Sequence, residues 1–277
     1  MLQKEKLMGY IKDFGFGSKT GIDLNGEASG ILFSLNKMGN VELATTAFGQ
    51  GISVTPIQQI RAVSAVVNGG TLYKPYIVKN YLEPETNSII KSNEPVAEKN
   101  VISKETSDLV KYALESVVAK GSGHNAYIEN YRIGGKTGTA QTVENGVYSS
   151  SKYILSFIGF MPADDPEIVV YVAVQNAKGV VQYGGTVAAP IARNIFLSAI
   201  DILNIKPDTN GIPKEYTWLD QKYVTVPDVV GLSVDEAKKV LKGFKIEYSG
   251  TGENVIYQSP SGGMYAKENG TVVVMLN

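Results

Sequence analysis

The stretch "YRIGGKTGTAQT", Tyr131 to Thr142, carries two overlapping motifs that lead to different folds. Gly135-Lys136-Thr137 is the tail of a phosphate-binding loop, which has the form G-x-x-x-x-G-K-[ST] between a strand and a helix. The first glycine of that loop would fall at Asn130, and "GTAQTVENGVY" is a poor helix start. The phosphate reading fails on residue and on context. As a β-strand the segment makes different sense, because alternate side chains diverge. Lys136 and Gly138 then point one way, Thr137 and Thr139 the other. Such a strand lining a cleft offers a fixed positive charge and hydroxyls that grip a carboxylate. Gly138 has no Cβ, so a ligand backbone can lie against it, and the Thr139 N–H can face a developing oxyanion. These parts suit acyl transfer at a peptide C-terminus. A surface edge strand with an incidental lysine stands beside that reading as its alternative.

Working outward, two further strands follow, "ILSFIGF" (Ile154–Phe160) and "IVVYVAV" (Ile168–Val174). They are β-branched, aromatic and apolar, as buried strands tend to be, and "MPADDPE" between them reads as a hairpin turn. An apolar helix, Val187 to Leu203, closes this group. Upstream, three helices are expected. Leu7, Tyr10, Ile11 and Phe14 form the apolar stripe of the first. Thr55, Pro56 and Gln58 announce the second with a capping box and Pro at N1, and Ile57, Ile60, Val63 and Val67 are its buried stripe. The third runs from Lys104 to Lys120 behind Ser103, with Leu109, Val110, Ala113, Leu114, Val117 and Val118 on one face.

Residues 206–222, rich in Pro, Gly and polar side chains, read as a linker, which bounds domains at 1–205 and 223–277. In the second, Ser233-Val234-Asp235-Glu236 is a capping box before a helix that buries Val234, Ala237, Val240 and Leu241. Strands are expected at Phe244–Tyr248, Val255–Gln258 and Thr271–Leu276. The fold class is α+β in both parts.

Composition closes off several functions. The 277 residues include 26 basic and 27 acidic ones, with a net charge of −1. That gives no basic footprint for a nucleic acid. With no cysteine and one histidine, disulfides, thiolate catalysis and Cys- or His-rich metal sites are excluded, and no cofactor is expected. No run of 18 apolar residues suggests a membrane span. His124, after the glycine that ends the third helix, reads as a solvated or helix-capping residue rather than a general base. Asp164 and Asp165 read as turn residues.

K-T-G is a signature of β-lactamases and penicillin-binding proteins. Together with "SFIGFMPADDPEIVVYVAV" and "ATTAFGQGISVTPIQ", it resembles the class B penicillin-binding proteins, and "VPDVVGLSVDEAKKVL" onward resembles a PASTA domain. The resemblance implies an antiparallel sheet with packed helices and a D,D-transpeptidase that cross-links peptidoglycan stem peptides ending in D-Ala-D-Ala. β-Lactams would occupy the same site. It makes Lys136, Thr137 and Gly138 the third active-site motif, with Lys136 catalytic. Thr139 would give the oxyanion-hole N–H and a hydroxyl for the substrate carboxylate, and Gln141 would lie on the cleft rim. Phe48-Gly49-Gln50-Gly51 matches a family segment of structural role.

The family's nucleophile lies in S-x-x-K, with a second motif S-x-N, both well upstream of K-T-G. S-x-x-K recurs here at Ser34–Lys37, Ser88–Lys91 and Ser149–Lys152, and Ser34-Leu35-Asn36 even satisfies S-x-N. None has the setting of a buried helix start with lysine one turn on, and all three read as accidental. The chain therefore looks like the part of a transpeptidase that follows its nucleophile, inactive alone, with an open sheet edge. A separate chain would supply the other half. The parent would be membrane-anchored and act on the cell-wall side.

Overall fold

The structure, a computed structural model, describes residues 3–144, 147–215 and 223–277. The chain divides into two compact units, Met1–Glu215 and Tyr216–Asn277. Unit one contains helices α1 (Lys4–Asp13), α2 (Asn40–Ala47) and α3 (Pro56–Val67), then short strands β1 (Thr71–Lys74), β2 (Asn80–Leu82), β3 (Ile89–Ser92) and β4 (Val96–Asn100). Helix α4 (Lys104–Lys120), strands β5 (Gly134–Glu144), β6 (Val147–Met161) and β7 (Ile168–Gln175), and helix α5 (Gly184–Leu203) complete it.

The main sheet is antiparallel in the order β5-β6-β7, with Lys136 opposite Ile158, Gly138 opposite Ser156 and Phe157 opposite Val172. Strict alternation puts Phe157 and Phe160 on opposite faces. Phe157 belongs to a core with Val118, Ile133, Met161, Val170 and the inner face of α5, whose Ala188, Ala189, Ala192 and Phe196 are fully buried. Phe160 belongs to the core on the other face, with Val67 of α3 and Ala163. Among the described residues no strand extends the sheet beyond β5 or β7. Among the described residues one helix, α5, is long and apolar enough to cross a membrane by length and composition. Its buried alanines and Phe196 seat it on the sheet instead.

Local signals placed α3 and α4 well. Thr55 Oγ1 accepts from the Gln58 N–H while Gln58 Oε1 accepts from the Thr55 N–H, with Pro56 at the first helical position. The Ser103 hydroxyl accepts from the Thr106 N–H to open α4.

The buried faces differ from the expected stripes. In α1 the buried residue is Met8, and Tyr10 is exposed. In α3, Gln58, Arg61, Ala62, Ala65 and Val67 are buried, while Ile57, Ile60 and Val63 are half-buried. In α4, Leu109 is 72% exposed and Glu115 is 3% exposed. The reason for α4 is a polar knot. Arg132 grips Glu115 through Nε–Oε1 at 3.1 Å and Nη2–Oε2 at 2.9 Å, and lies near Asp164 and Asp208. The buried Ser107 hydroxyl donates to the Val66 carbonyl and accepts from the Gly69 N–H, joining α4 to the end of α3. Helix α2 was not expected, since it has no apolar stripe. Val41 is 71% exposed, and the helix starts where the Glu42 carboxylate accepts from the Gly39 N–H. Strands β1 and β4 also carry no alternating pattern and were unexpected, whereas β2 and β3 form a hairpin where the polar segment around Ser88 reads as hairpin-like.

The segment read as a linker from residue 206 begins as part of unit one. Ile205 is buried, the Asp208 N–H donates to the Asn130 carbonyl, the Ile212 N–H to Glu115 and the Glu215 N–H to the Ala119 carbonyl. Lys120 pairs with Glu215 at 2.6 Å. Polar composition resembled a linker because the strap is held by backbone hydrogen bonds and charges rather than apolar side chains. Residues 216–222 of the expected linker lie outside the described residues.

Unit two has β8 (Tyr223–Thr225), α6 (Val234–Val240), β9 (Lys245–Ser249), β10 (Val255–Ser259), β11 (Tyr265–Lys267) and β12 (Thr271–Leu276). Its sheet order is β10-β12-β9, with β12 parallel to β9, and β8 pairs β11. Val226, Val229, Ala237, Leu241, Val255, Val272 and Val274 form the core. Val240 is exposed, contrary to expectation, because Ala237 and Leu241, four residues apart, set the inward face and turn Val240 away from it. Buried Gln258 accepts from the Val229 N–H and donates to the Pro227 and Pro260 carbonyls, so its burial leaves no amide group unpaired.

Two expectations follow. Glu115→Ala should lower the stability of unit one by about 3 kcal/mol in urea denaturation, since it removes the buried bidentate partner of Arg132 and the acceptor of the Ile212 N–H; a loss under about 1 kcal/mol would show that the knot does not hold α4. Glu236 has its carboxyl held below the ordinary value, first by the Ser233 hydroxyl and then by the Ser233 N–H. A depressed carboxyl stabilises the fold fully above its unfolded pKa and loses that contribution as pH falls through the folded value. Glu236→Gln should therefore flatten the acid limb of unit-two stability against pH and leave its shape near neutrality unchanged, as thermal melts across pH 2 to 7 would reveal.

Candidate active site

Strand β5 presents the K-T-G-T residues with the divergence its alternation dictates. Thr137 and Thr139 lie on the α5 side. The Thr137 hydroxyl is 2.9 Å from the Ser122 hydroxyl, and Thr139 Oγ1 accepts from the Gly184 N–H at 3.2 Å. Lys136 and Gly138 face the other way, beside Ser156 and Ile158 of β6. Lys136 is exposed, and its Nζ donates to the Thr137 carbonyl at 2.9 Å. A Cβ on Gly138 would come within 2.5 Å of the Ser156 hydroxyl oxygen, so no other residue leaves this surface open without displacing that serine. Gln141 lies further along β5, where its amide donates to the Ser149 carbonyl at 3.1 Å and ties the β5–β6 hairpin.

Thus the strand does not bring all five candidates to one face. Lys136 and Gly138 share a surface with Ser156, Thr139 stands exposed at the margin against the amino end of α5, and Thr137 is engaged with Ser122. Ser122, Ser156, Gly184 and Gly185 were not singled out in the sequence. The legible signal for the last two was Gly-Gly opening an apolar helix with no capping side chain before it.

The three S-x-x-K matches lie apart from any helix start of the required kind. Ser34 precedes a single 3₁₀ turn, Leu35–Lys37, rather than the loop expected, and both Ser34 and Lys37 are exposed. Ser88 sits at the turn of the β2–β3 hairpin, with Lys91 5.6 Å from the Tyr81 ring. Ser149 and Lys152 are within β6. His124 starts a 3₁₀ turn after α4, its Nδ1 3.1 Å from the Gly121 carbonyl, which is a capping position. Asp164 is in the β6–β7 turn near Arg132. Among the described residues no group of three metal-ligating side chains comes together.

The profile of the penicillin binding protein transpeptidase domain matches residues 1–197, and that of the PASTA domain residues 224–277. Stage V sporulation protein D of Bacillus subtilis is 57% identical over 275 residues, which is 99% of this chain and 43% of that protein. Peptidoglycan D,D-transpeptidase FtsI of Escherichia coli is 33% identical over 206 residues, 73% of this chain and 33% of that protein. Penicillin binding protein 3 of Mycobacterium tuberculosis, solved in complex with ampicillin, has a TM-score of 0.67 at 26% identity, covering 78% of this chain and 50% of that one. The chain thus spans less than half the length of these two curated relatives. With the K-T-G-T strand and the helices on both faces of its sheet accounted for, the chain belongs to the penicillin-binding protein transpeptidase family and carries a PASTA domain.

Proposed function

We propose that this chain contributes the substrate-gripping side of a peptidoglycan D,D-transpeptidase acting in spore cell-wall synthesis, on the cell-wall side of the membrane. The observation that carries the reading is β5 itself: a lysine and a Cβ-free backbone on one open surface, with an exposed hydroxyl next in line. In the reaction a serine hydroxyl attacks the carbonyl of the penultimate D-Ala, an ester forms, and the terminal D-Ala leaves as the amine. An amine from a second stem peptide then attacks the ester and releases the serine. The Thr139 hydroxyl would hold the terminal carboxylate, Lys136 would supply positive charge from the other face of β5, Gly138 would let the peptide backbone lie flat, and the Thr139 N–H would face the oxyanion of each tetrahedral intermediate. Thr137 and Gln141 would act by bracing the strand, given their bonds to Ser122 and to the Ser149 carbonyl. The nucleophile is assigned to no serine of this chain, since neither Ser34, Ser88 nor Ser149 opens a buried helix. Catalysis without the S-x-x-K and S-x-N motifs is feeble, because nucleophile and base act as a unit.

Intact-mass analysis after incubation with a labelled penicillin tests this. No covalent adduct is expected on this chain, while a full-length relative labels. A stoichiometric adduct mapped to one serine would make the chain an enzyme by itself and overturn the assignment.

A second reading, in which the chain binds cell wall through its PASTA unit, is favoured by one feature. Tyr257 and Met275 are cross-strand partners on the open face of the β10-β12-β9 sheet, 55% and 44% exposed. An exposed ring on an open sheet face suits sugar stacking. Co-sedimentation of the chain with purified peptidoglycan should fall when Tyr257 is replaced by Ala; equal pelleting of both forms would leave the unit as a spacer.

A further inference from the structure

Helix α5 has no cap of its own. Tyr183, its N-cap residue, makes no side-chain capping bond, and the Gly184 amide is received instead by Thr139 Oγ1 at 3.2 Å. Approach this close requires glycine. A Cβ on Gly184 would lie 2.3 Å from the Ser156 carbonyl oxygen and 2.4 Å from that of Gly138, and one on Gly185 would lie 2.2 Å from the Ser122 carbonyl oxygen. The junction is tied from a third side as well. Asn125 Nδ2 donates to the Gly185 carbonyl at 2.9 Å, and Ser122 shares a hydrogen bond with Thr137. The turn after α4, the middle of β5 and the amino end of α5 therefore meet at Thr137–Thr139.

A hydroxyl has one proton to donate and two lone pairs to accept with. When a lone pair of Thr139 Oγ1 takes the Gly184 N–H, the proton is left to donate outward, and Thr139 is exposed. The positive end of the α5 dipole sits behind that oxygen, which favours donation to an anion. We propose that Gly184 and Gly185 are positioning residues for the K-T-G-T strand: they seat α5 against β5 so that the Gly184 N–H fixes the Thr139 hydroxyl with its proton turned toward the carboxylate of a bound peptide. This deepens the acyl-transfer reading, on which the identity of the carboxylate rests; the clamp itself exists without ligand.

Residue-resolved amide exchange on the whole chain tests the clamp. The Gly184 amide should be protected, and Thr139→Val, which keeps shape but removes the acceptor, should speed its exchange roughly five- to tenfold. Thr139→Ser should restore protection, and the β5–β6 amides should exchange alike in all three forms, which separates loss of the clamp from loss of fold. An unprotected Gly184 in the native chain, or no effect of Thr139→Val, would overturn the proposal. An acylated D-Ala-D-Ala peptide and its C-terminal amide then serve as ligand and control. The Thr139 amide signal should shift with the carboxylate form alone, and Gly184→Ala should weaken that response roughly tenfold. Equal responses in Gly184→Ala and the native chain would overturn the positioning role. No response in the native chain, with the exchange pattern intact, would count against the acyl-transfer reading while leaving the clamp established.

Discussion

Everything about the site depends on two phenylalanine rings lying over glycine backbone. Phe157 and Phe160 are fully buried on opposite faces of β6, and each fills the space where its neighbours on β5 have no side chain. A Cβ on Gly135 would sit 2.4 Å from the Phe157 ring, and one on Gly134 would sit 2.3 Å from that of Phe160. Glycine alone weakens a strand, but an aromatic ring from the adjacent strand covers its backbone and recovers the lost contact. The same two rings anchor the cores on both faces of the sheet, so the start of the K-T-G strand is gripped from above and below.

That grip settles register. A slip of one residue between β5 and β6 would carry Lys136 to the face packed by α5 and bring Thr137 into the open. It would also drive a Cβ into an aromatic ring, since only positions 134 and 135 have room. The geometry of the site is therefore enforced by sterics on its buried end, while its exposed end keeps freedom to meet a ligand.

Two polar assemblies brace the strand from its flanks. Arg132, just before β5, spans Glu115 on α4, Asp164 in the β6–β7 turn and Asp208 in the strap that follows α5. Three separate segments converge on one guanidinium, whose planar fork suits several acceptors at once. On the other flank the amino end of α5 rests on the Gly138 and Ser156 carbonyls. The first assembly contains no residue of the K-T-G motif and the second touches it only through the Gly138 backbone, yet both set where that motif lies.

The sequence by itself determined the elements whose signals are local. Thr55-Pro56-x-Gln58, Ser103 and Ser233-x-x-Glu236 each close hydrogen bonds within a turn, so the starts of α3, α4 and α6 were legible without knowing what they pack against. Alternation alone divided Lys136 and Gly138 from Thr137 and Thr139, because the period of a strand is fixed by its backbone. The tertiary structure decided what depends on partners far along the chain. Glu115 is buried in place of Leu109 because its partner, Arg132, arrives from another segment. Helix α2 and the strap after α5 hold by backbone and charge, without an apolar pattern to read. Thr137 and Thr139 look equivalent in sequence, yet one is spent on Ser122 and the other is aimed by Gly184, since a hydroxyl's direction is set by whichever neighbour takes its lone pair.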